Sequence, residues 1–497
     1  MDSIPPQKYS DTSYSSSATK HILPTPTHTQ YSTKDISILT ATPTVTVTPT
    51  PISTTLPGAI YRINLSSTGM EANNSSEGVS INENGSILAF VSFASNLVEN
   101  DTDDDCLSIS GEMESCADIF LKDLTTNEIK RISEANNGIP GNNHSGIMHE
   151  WGSYTSISSD GRYITFYSNA DNLLPDVTPK NSYLFDTKLN QIQLIGNTDT
   201  YPEQSTHFYN INPAISANGR FVVFQSNNPN LVQNDTNGVD DIFLFDIQTG
   251  QIERVSIGTG GKQADRPSGL GYPATISGNG RFVAFVSEAK NLAPNDTNNL
   301  PDIFLRDRTL GTTIRISKNN LDGSLGESNG ASTNPKLSAD GQAIVFQSSA
   351  NNLIQNDTND AIDIFLYHLK TGQIELISVS LSGDLSNGNS SNPDISSNNR
   401  WIVFSSDADN LVHNDTNNVT DIFVYDIDTK HTIRVSVNNE GEEGNNISNS
   451  PVISGDGNKI AFVSLASNLV SNDSNECWDI FVRDMDLVWD NPYLDSD

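Results

Sequence analysis

The chain is poor in cysteine, in basic residues and in long apolar runs. Its 497 residues hold three cysteines, Cys106, Cys116 and Cys477. So few cannot staple a chain of this length, and no paired C-x-x-C offers a zinc site. No apolar run approaches the ~18 residues of a membrane span. The first residues, MDSIPPQKYSDTS, lack the apolar segment of a secretory signal. Lysine and arginine number 27 against 61 acidic residues, a formal net charge of −34. That balance argues against nucleic acid, whose phosphates need a basic footprint, and against an anionic membrane surface. It suits divalent cations or basic partners, and it serves solubility equally well.

What is present begins with a tail. Residues 1–57 are rich in Thr, Pro and Ser and end in ILTATPTVTVTPTPISTTLPG. Such a stretch cannot bury enough apolar surface to offset its ordering entropy. It reads either as an extended stalk or as an unstructured leader.

From Gly58 one pattern returns, clearest in ISANGRFVVFQSNNPNLVQNDTNGVDDIFLFDIQTGQIERVS, residues 215–256. An aromatic residue ending the second apolar run marks each copy: Phe90, Phe166, Phe224, Phe285, Phe346, Phe404 and Phe462. The first interval is 76 residues, because copy one carries the insertion CLSISGEMESC; the others are 58 or 61. Each copy predicts four short strands. An Asn-Gly or Asp-Gly turn, such as Asn218-Gly219, follows the first and should supply the positive-φ residues of a tight hairpin. The second and third strands, RFVVFQS and DIFLFD, are apolar on both faces, as expected of strands covered on both sides by neighbouring sheets. A four-stranded unit at this period predicts an all-β, seven-bladed β-propeller.

The seventh copy stops after DIFVRD at Asp484, without a fourth strand. The missing piece lies at the other end. IYRINLSSTGMEANNSSEGVSI aligns without gaps on TIRVSVNNEGEEGNNISNSPVI at a constant offset of 372, placing Arg62 on Arg434 and Glu71 on Glu443. Residues 58–70 should therefore complete the last blade and close the ring, removing its exposed sheet edges. The expected layout is a tail over 1–57, a propeller over 58–486 and a short C-terminal tail over 487–497.

The segments ISANGRFVVFQS, NLVQNDTNGVDDIFLFD and TGQIERVS resemble TolB-like β-propeller repeats of bacterial envelope and secreted proteins. The resemblance covers roughly residues 58–486. It implies the fold and an extracellular or cell-envelope setting. Neither the small α/β domain of TolB nor a hydrolase domain with a G-x-S-x-G elbow accompanies it, and the fold alone assigns no activity.

The most distinctive chemistry lies between strands two and three. Six copies carry the triplets Asp101, Asp103 and Asp118; Asp235, Asn237 and Asp241; Asp296, Asn298 and Asp302; Asp357, Asn359 and Asp363; Asp415, Asn417 and Asp421; and Asp473, Asn475 and Asp479. Copy two departs, with a shortened loop and Asn181 near the last position. A D-x-N-x-x-x-D spacing resembles the start of calcium loops, where a hard cation collects six to eight oxygens. The competing expectation is turn chemistry alone, since Asp and Asn bond their own backbone. The same loops hold N-x-T/S sequons such as Asn234–Thr236, which read as glycosylation or as a coincidence of the turn motif.

Cys106 and Cys116 bracket the copy-one insertion. A local disulfide would imply an oxidising compartment; free thiols and a Cys116–Cys477 bridge are the other arrangements. The connections between copies carry His144, His149, Glu150, Trp151 and His207, in which a metal-dependent lyase or hydrolase would find its acid–base groups. Titratable residues there are few. The expectation is thus a monomeric, non-catalytic binding or scaffold propeller with a protein or glycan partner, possible calcium support and no nucleic acid.

Overall fold

Each repeat folds on itself at the predicted turn. In the third copy the Ser216 amide bonds to the Phe221 carbonyl at 2.8 Å, and the Gly219 amide to the Ser216 carbonyl at 2.8 Å. Gly219 has φ +70°, and Asn218 is not left-handed. The Asn218 side chain instead accepts the Arg220 amide at 3.0 Å and the Ser216 hydroxyl at 2.7 Å. The turn is therefore wider than a two-residue hairpin, and only its glycine needs the left-handed region.

The computed structural model describes residues 58–99, 101, 106–107, 113–148, 152–196, 208–319 and 326–485. Both expected tails, Asp103, His149, Glu150, Trp151 and His207 lie outside them. Within them are seven four-stranded antiparallel sheets, two small two-stranded ribbons and no helix. The protein is a seven-bladed β-propeller. Its third blade is typical: Asn210–Ile215 innermost, then Phe221–Ser226, Asp241–Asp246 and Gln251–Arg254 outermost.

The last blade is closed as expected. Ile60–Arg62 pairs with Asp479–Asp484 in the register Ile60↔Arg483, Tyr61↔Val482, Arg62↔Phe481. That register matches Arg254↔Phe243 and Arg434↔Phe423 in intact blades.

The core lies between blades. One cluster joins Phe221, Val223, Ile242 and Leu244 of blade three to Val283, Phe285 and Phe304 of blade four. The marker aromatics are fully buried, and each stacks on its cross-strand partner, as Phe224 does on Phe243 with centroids 5.9 Å apart. Burying such a side chain is worth about 1.5–3 kcal/mol. Innermost strands have no partner on the channel side, so Pro213, Pro335, Pro393 and Pro451 are tolerated there.

At the first-turn end one set of contacts ties neighbouring blades and a second braces single blades. Backbone hydrogen bonds pass from turn to turn: Glu83 to Ser159, Ser159 to Ala217, Asn218 to Gly278, Gly278 to Ala339, Ser397 to Gly455 and Asp456 to Glu83. Between blades five and six the side-chain amide of Asn399 donates to the Asp340 carboxylate at 2.8 Å. Farther out, Arg162–Asp186, Arg220–Asp246 and Arg281–Asp307 ion pairs join two turns of one blade at 2.7–2.8 Å.

Candidate functional site

The NDTN loops take their shape from asparagine. The first residue of each, Asn234, Asn295, Asn356, Asn414 and Asn472, is left-handed with φ of 60–64°, a region asparagine enters more readily than most residues. The next residue, an aspartate, is directed inward. The last aspartate of each triplet starts the third strand and is buried.

Sequence reasoning found the carboxylates and missed what faces them. In five blades an arginine from the fourth strand enters the loop. Arg254 places Nη1 2.9 Å from Asp235 and 3.1 Å from Asp241. Arg315 reaches Asp296 at 3.2 Å, Asp302 at 3.4 Å and Glu327 at 3.0 Å. Arg434 meets Asp415, Asp421 and Glu443 at 3.1, 3.5 and 2.7 Å. Arg62, on the closing strand, meets Asp473, Asp479 and Glu71 at 3.0, 2.8 and 2.7 Å. Arg131 meets Asp101 at 2.6 Å and Asp118 at 3.3 Å. The signal was present in the sequence: I-x-R-[VI]-S or its equivalent occurs in copies that carry the full acidic triplet, with the fifth as the exception.

The rest of each site satisfies the last aspartate. Asp241 Oδ1 accepts the Ser256 hydroxyl at 2.5 Å and Oδ2 the Asn237 amide at 2.8 Å. Asn298, Asn359, Asn417 and Asn475 likewise donate to Asp302, Asp363, Asp421 and Asp479 at 2.7–3.2 Å. These asparagines therefore turn their amide nitrogens, not their oxygens, toward the carboxylates. Burial pushes Asp296, Asp357, Asp415 and Asp473 up to about 6, with the neighbouring aspartate adding to the effect.

Blade two has lost the arrangement together: Leu194 stands at the arginine position, and Asn181 replaces the last aspartate and donates to the Thr178 carbonyl at 2.7 Å. Blade five has lost only part of it. Leu376 stands at the arginine position, while Asp357 and Asp363 are retained and buried.

On the same face, the connections between blades are clasped to the second-to-third-strand loops. Asn445 gives its backbone amide to Asn468 at 2.9 Å and its side-chain amide to Ser467 at 3.0 Å, and accepts the Ser467 amide at 2.9 Å. Asn73, Asn142, Asn329 and Asn387 repeat the clasp. All five are exposed.

The central channel holds cavities of about 220 and 200 Å³. Glu83, Lys336, Asp394 and Tyr154 are its titratable lining. Glu83 accepts hydrogen bonds from Ser159 at 3.2 Å and Ser397 at 2.8 Å, bridging blades one, two and six. Asp394 accepts the Ile453 amide at 3.0 Å; burial raises its carboxyl and Lys336 opposes the rise. Burial pushes Tyr154 up to about 12. His144 is buried, and its Nδ1 accepts the Ala117 amide at 3.1 Å, so that nitrogen is committed to the fold. Cys106 and Cys116 form the local disulfide, and Cys477 is a free thiol. Among the described residues no group of three His, Cys, Asp or Glu side chains is placed to hold a metal.

No protein-family model and no curated protein matches the chain. Solved structures do. An oligogalacturonate lyase in complex with manganese is 13% identical, with 87% of this chain and 98% of that one covered and a TM-score of 0.50. The shared feature is the propeller. A putative TolB from Agrobacterium tumefaciens is 14% identical over 72% of this chain and 95% of its own, with a TM-score of 0.37. The β-propeller domain of the Trilobed protease from Pyrococcus furiosus is 9% identical over 83% and 95%, at 0.47.

Proposed function

We propose that this is a non-catalytic binding propeller of the TolB-like kind, acting as a monomer outside the cytoplasm and recognising a protein or glycan through its connection face. The observation that carries this reading is where the charge goes. Five acidic loops are each occupied by one of the chain's own arginines, so their oxygens hold the scaffold together. What the same face presents outward is a ring of clasped asparagines. Primary amides donate and accept, which suits sugar hydroxyls or a peptide backbone, and clasping lowers the ordering cost of binding. The Cys106–Cys116 disulfide supports an oxidising compartment. Calcium enters this reading only at a loop that lacks its arginine.

The test is retention of the full chain on a glycan array and on candidate partner proteins, followed by mass spectrometry of the eluted ligand. Saturable retention of an intact ligand is expected. Release of an unsaturated or hydrolysed sugar, with or without added manganese, would make the chain an enzyme and overturn the reading.

A further inference from the structure

We propose that the acidic loop of the fifth blade binds one divalent cation, calcium by the character of its donors, where a guanidinium sits in five sister loops. Asp357 is 7% exposed, and its Oδ1 is buried and accepts no hydrogen bond. The equivalent atom in the other blades, Oδ1 of Asp101, Asp235, Asp296, Asp415 or Asp473, lies 2.6–3.2 Å from an arginine Nη1. Leu376 pairs with Phe365 as Arg315 pairs with Phe304, so the loop keeps its register and loses only its positive charge. Leu385, opposite Val379, takes the place that Glu443 holds opposite Val437. Two carboxylates remain.

The two blades with leucine at the arginine position differ in their carboxylates. In blade two, which has leucine at the arginine position, the buried aspartate is gone as well, leaving Asn181. In blade five both aspartates persist, and among the described residues no lysine or arginine forms an ion pair with either. Two buried carboxylates without a counter-charge are costly; a divalent ion would balance them. Asp363 is already oriented, its Oδ1 by Ser378 at 2.6 Å and Ser386 at 2.9 Å, its Oδ2 by Asn359 at 2.9 Å. In the arginine loops of blades three, four and six that same Oδ2 faces both an asparagine amide and a guanidinium. Asn356 shares the left-handed φ of Asn295, Asn414 and Asn472, whose carbonyls each accept the arginine Nη2 at 3.1–3.2 Å. Two carboxylates, a carbonyl and water make an all-oxygen donor set, which selects a hard cation.

Calorimetric titration of the chelator-treated full chain with calcium chloride tests this. One site per chain is expected, together with a rise in melting midpoint of about 3 °C at 100 times Kd. Asp357→Asn should abolish that site. Leu376→Arg, which restores the guanidinium, should also abolish it while raising the midpoint of the calcium-free protein. Asp415→Asn, in an arginine loop, should leave the titration unchanged. No calcium binding by the wild type, or binding that survives either Asp357→Asn or Leu376→Arg, would overturn the proposal.

Discussion

Arg315→Leu transplants the fifth blade's natural leucine into the fourth. Arg315 is 3% exposed and stands among Asp296, Asp302 and Glu327. Its removal leaves two buried carboxylates and one partly buried one without a counter-charge. Breaking a buried pair from one side costs about 3–5 kcal/mol. Unfolding entropy of ~2.1 cal/mol/K per residue over the ~430 residues of the ring gives about 0.9 kcal/mol/K, so the melting midpoint should fall by roughly 3–6 °C. The loss should depend on pH. Burial and Asp302 raise Asp296 to about 6, and Arg315 restrains that rise. A folded-state value above the ordinary 3.8 means that the folded protein holds the proton more tightly than the unfolded chain. The ionised carboxylate therefore opposes folding above pH 6, and this opposition fades as the pH falls toward 4. Without the guanidinium the value rises further. Thermal melts should show the widest gap between wild type and variant near pH 8 and a narrower gap near pH 5. Asp296→Asn and Asp302→Asn added to Arg315→Leu should recover most of the loss, since only the partly buried Glu327 then lacks a counter-charge. Equal midpoints at pH 8, or a gap independent of pH, would refute the role of Arg315 as the counter-charge of these carboxylates.

Three further outcomes are expected. Deleting residues 58–70 removes both the three-residue closing strand and the Arg62 contacts to Asp473 and Asp479; the melting transition should broaden and fall, and an unchanged transition would contradict closure by this strand. Gly330→Ala would place a Cβ 2.4 Å from the Ala350 nitrogen and the Ser349 carbonyl carbon. The Ser349–Ala350 peptide group is backbone and cannot retreat easily, so chemical denaturation should register a loss of about 1–3 kcal/mol. Replacing Cys106 and Cys116 by serine should lower stability by up to about 3 kcal/mol through the freed unfolded chain, read from denaturation midpoints with and without reductant.

The repeat made the fold legible. Phe90 through Phe462 marked seven copies, and the match of Arg62 on Arg434 placed the closing strand before any pairing was seen. Both are local or periodic signals: a side chain apolar on both faces of its strand, and a blade that ends one strand short. The acidic triplets were legible for the same reason, because they lie in one loop.

Sequence periodicity alone thus determined the blade count, the split blade and the positions of the carboxylates. It could not determine what those carboxylates face. Arg254 stands 13 residues after Asp241 and 19 after Asp235, and Arg62 lies more than 400 residues from Asp473 and Asp479. Only antiparallel pairing of the third and fourth strands brings each guanidinium over its loop. The tertiary structure therefore decided which loops carry their own cation, and among the described residues it left the inner oxygen of the fifth blade's first aspartate without a hydrogen-bond partner, because leucine cannot supply a charge.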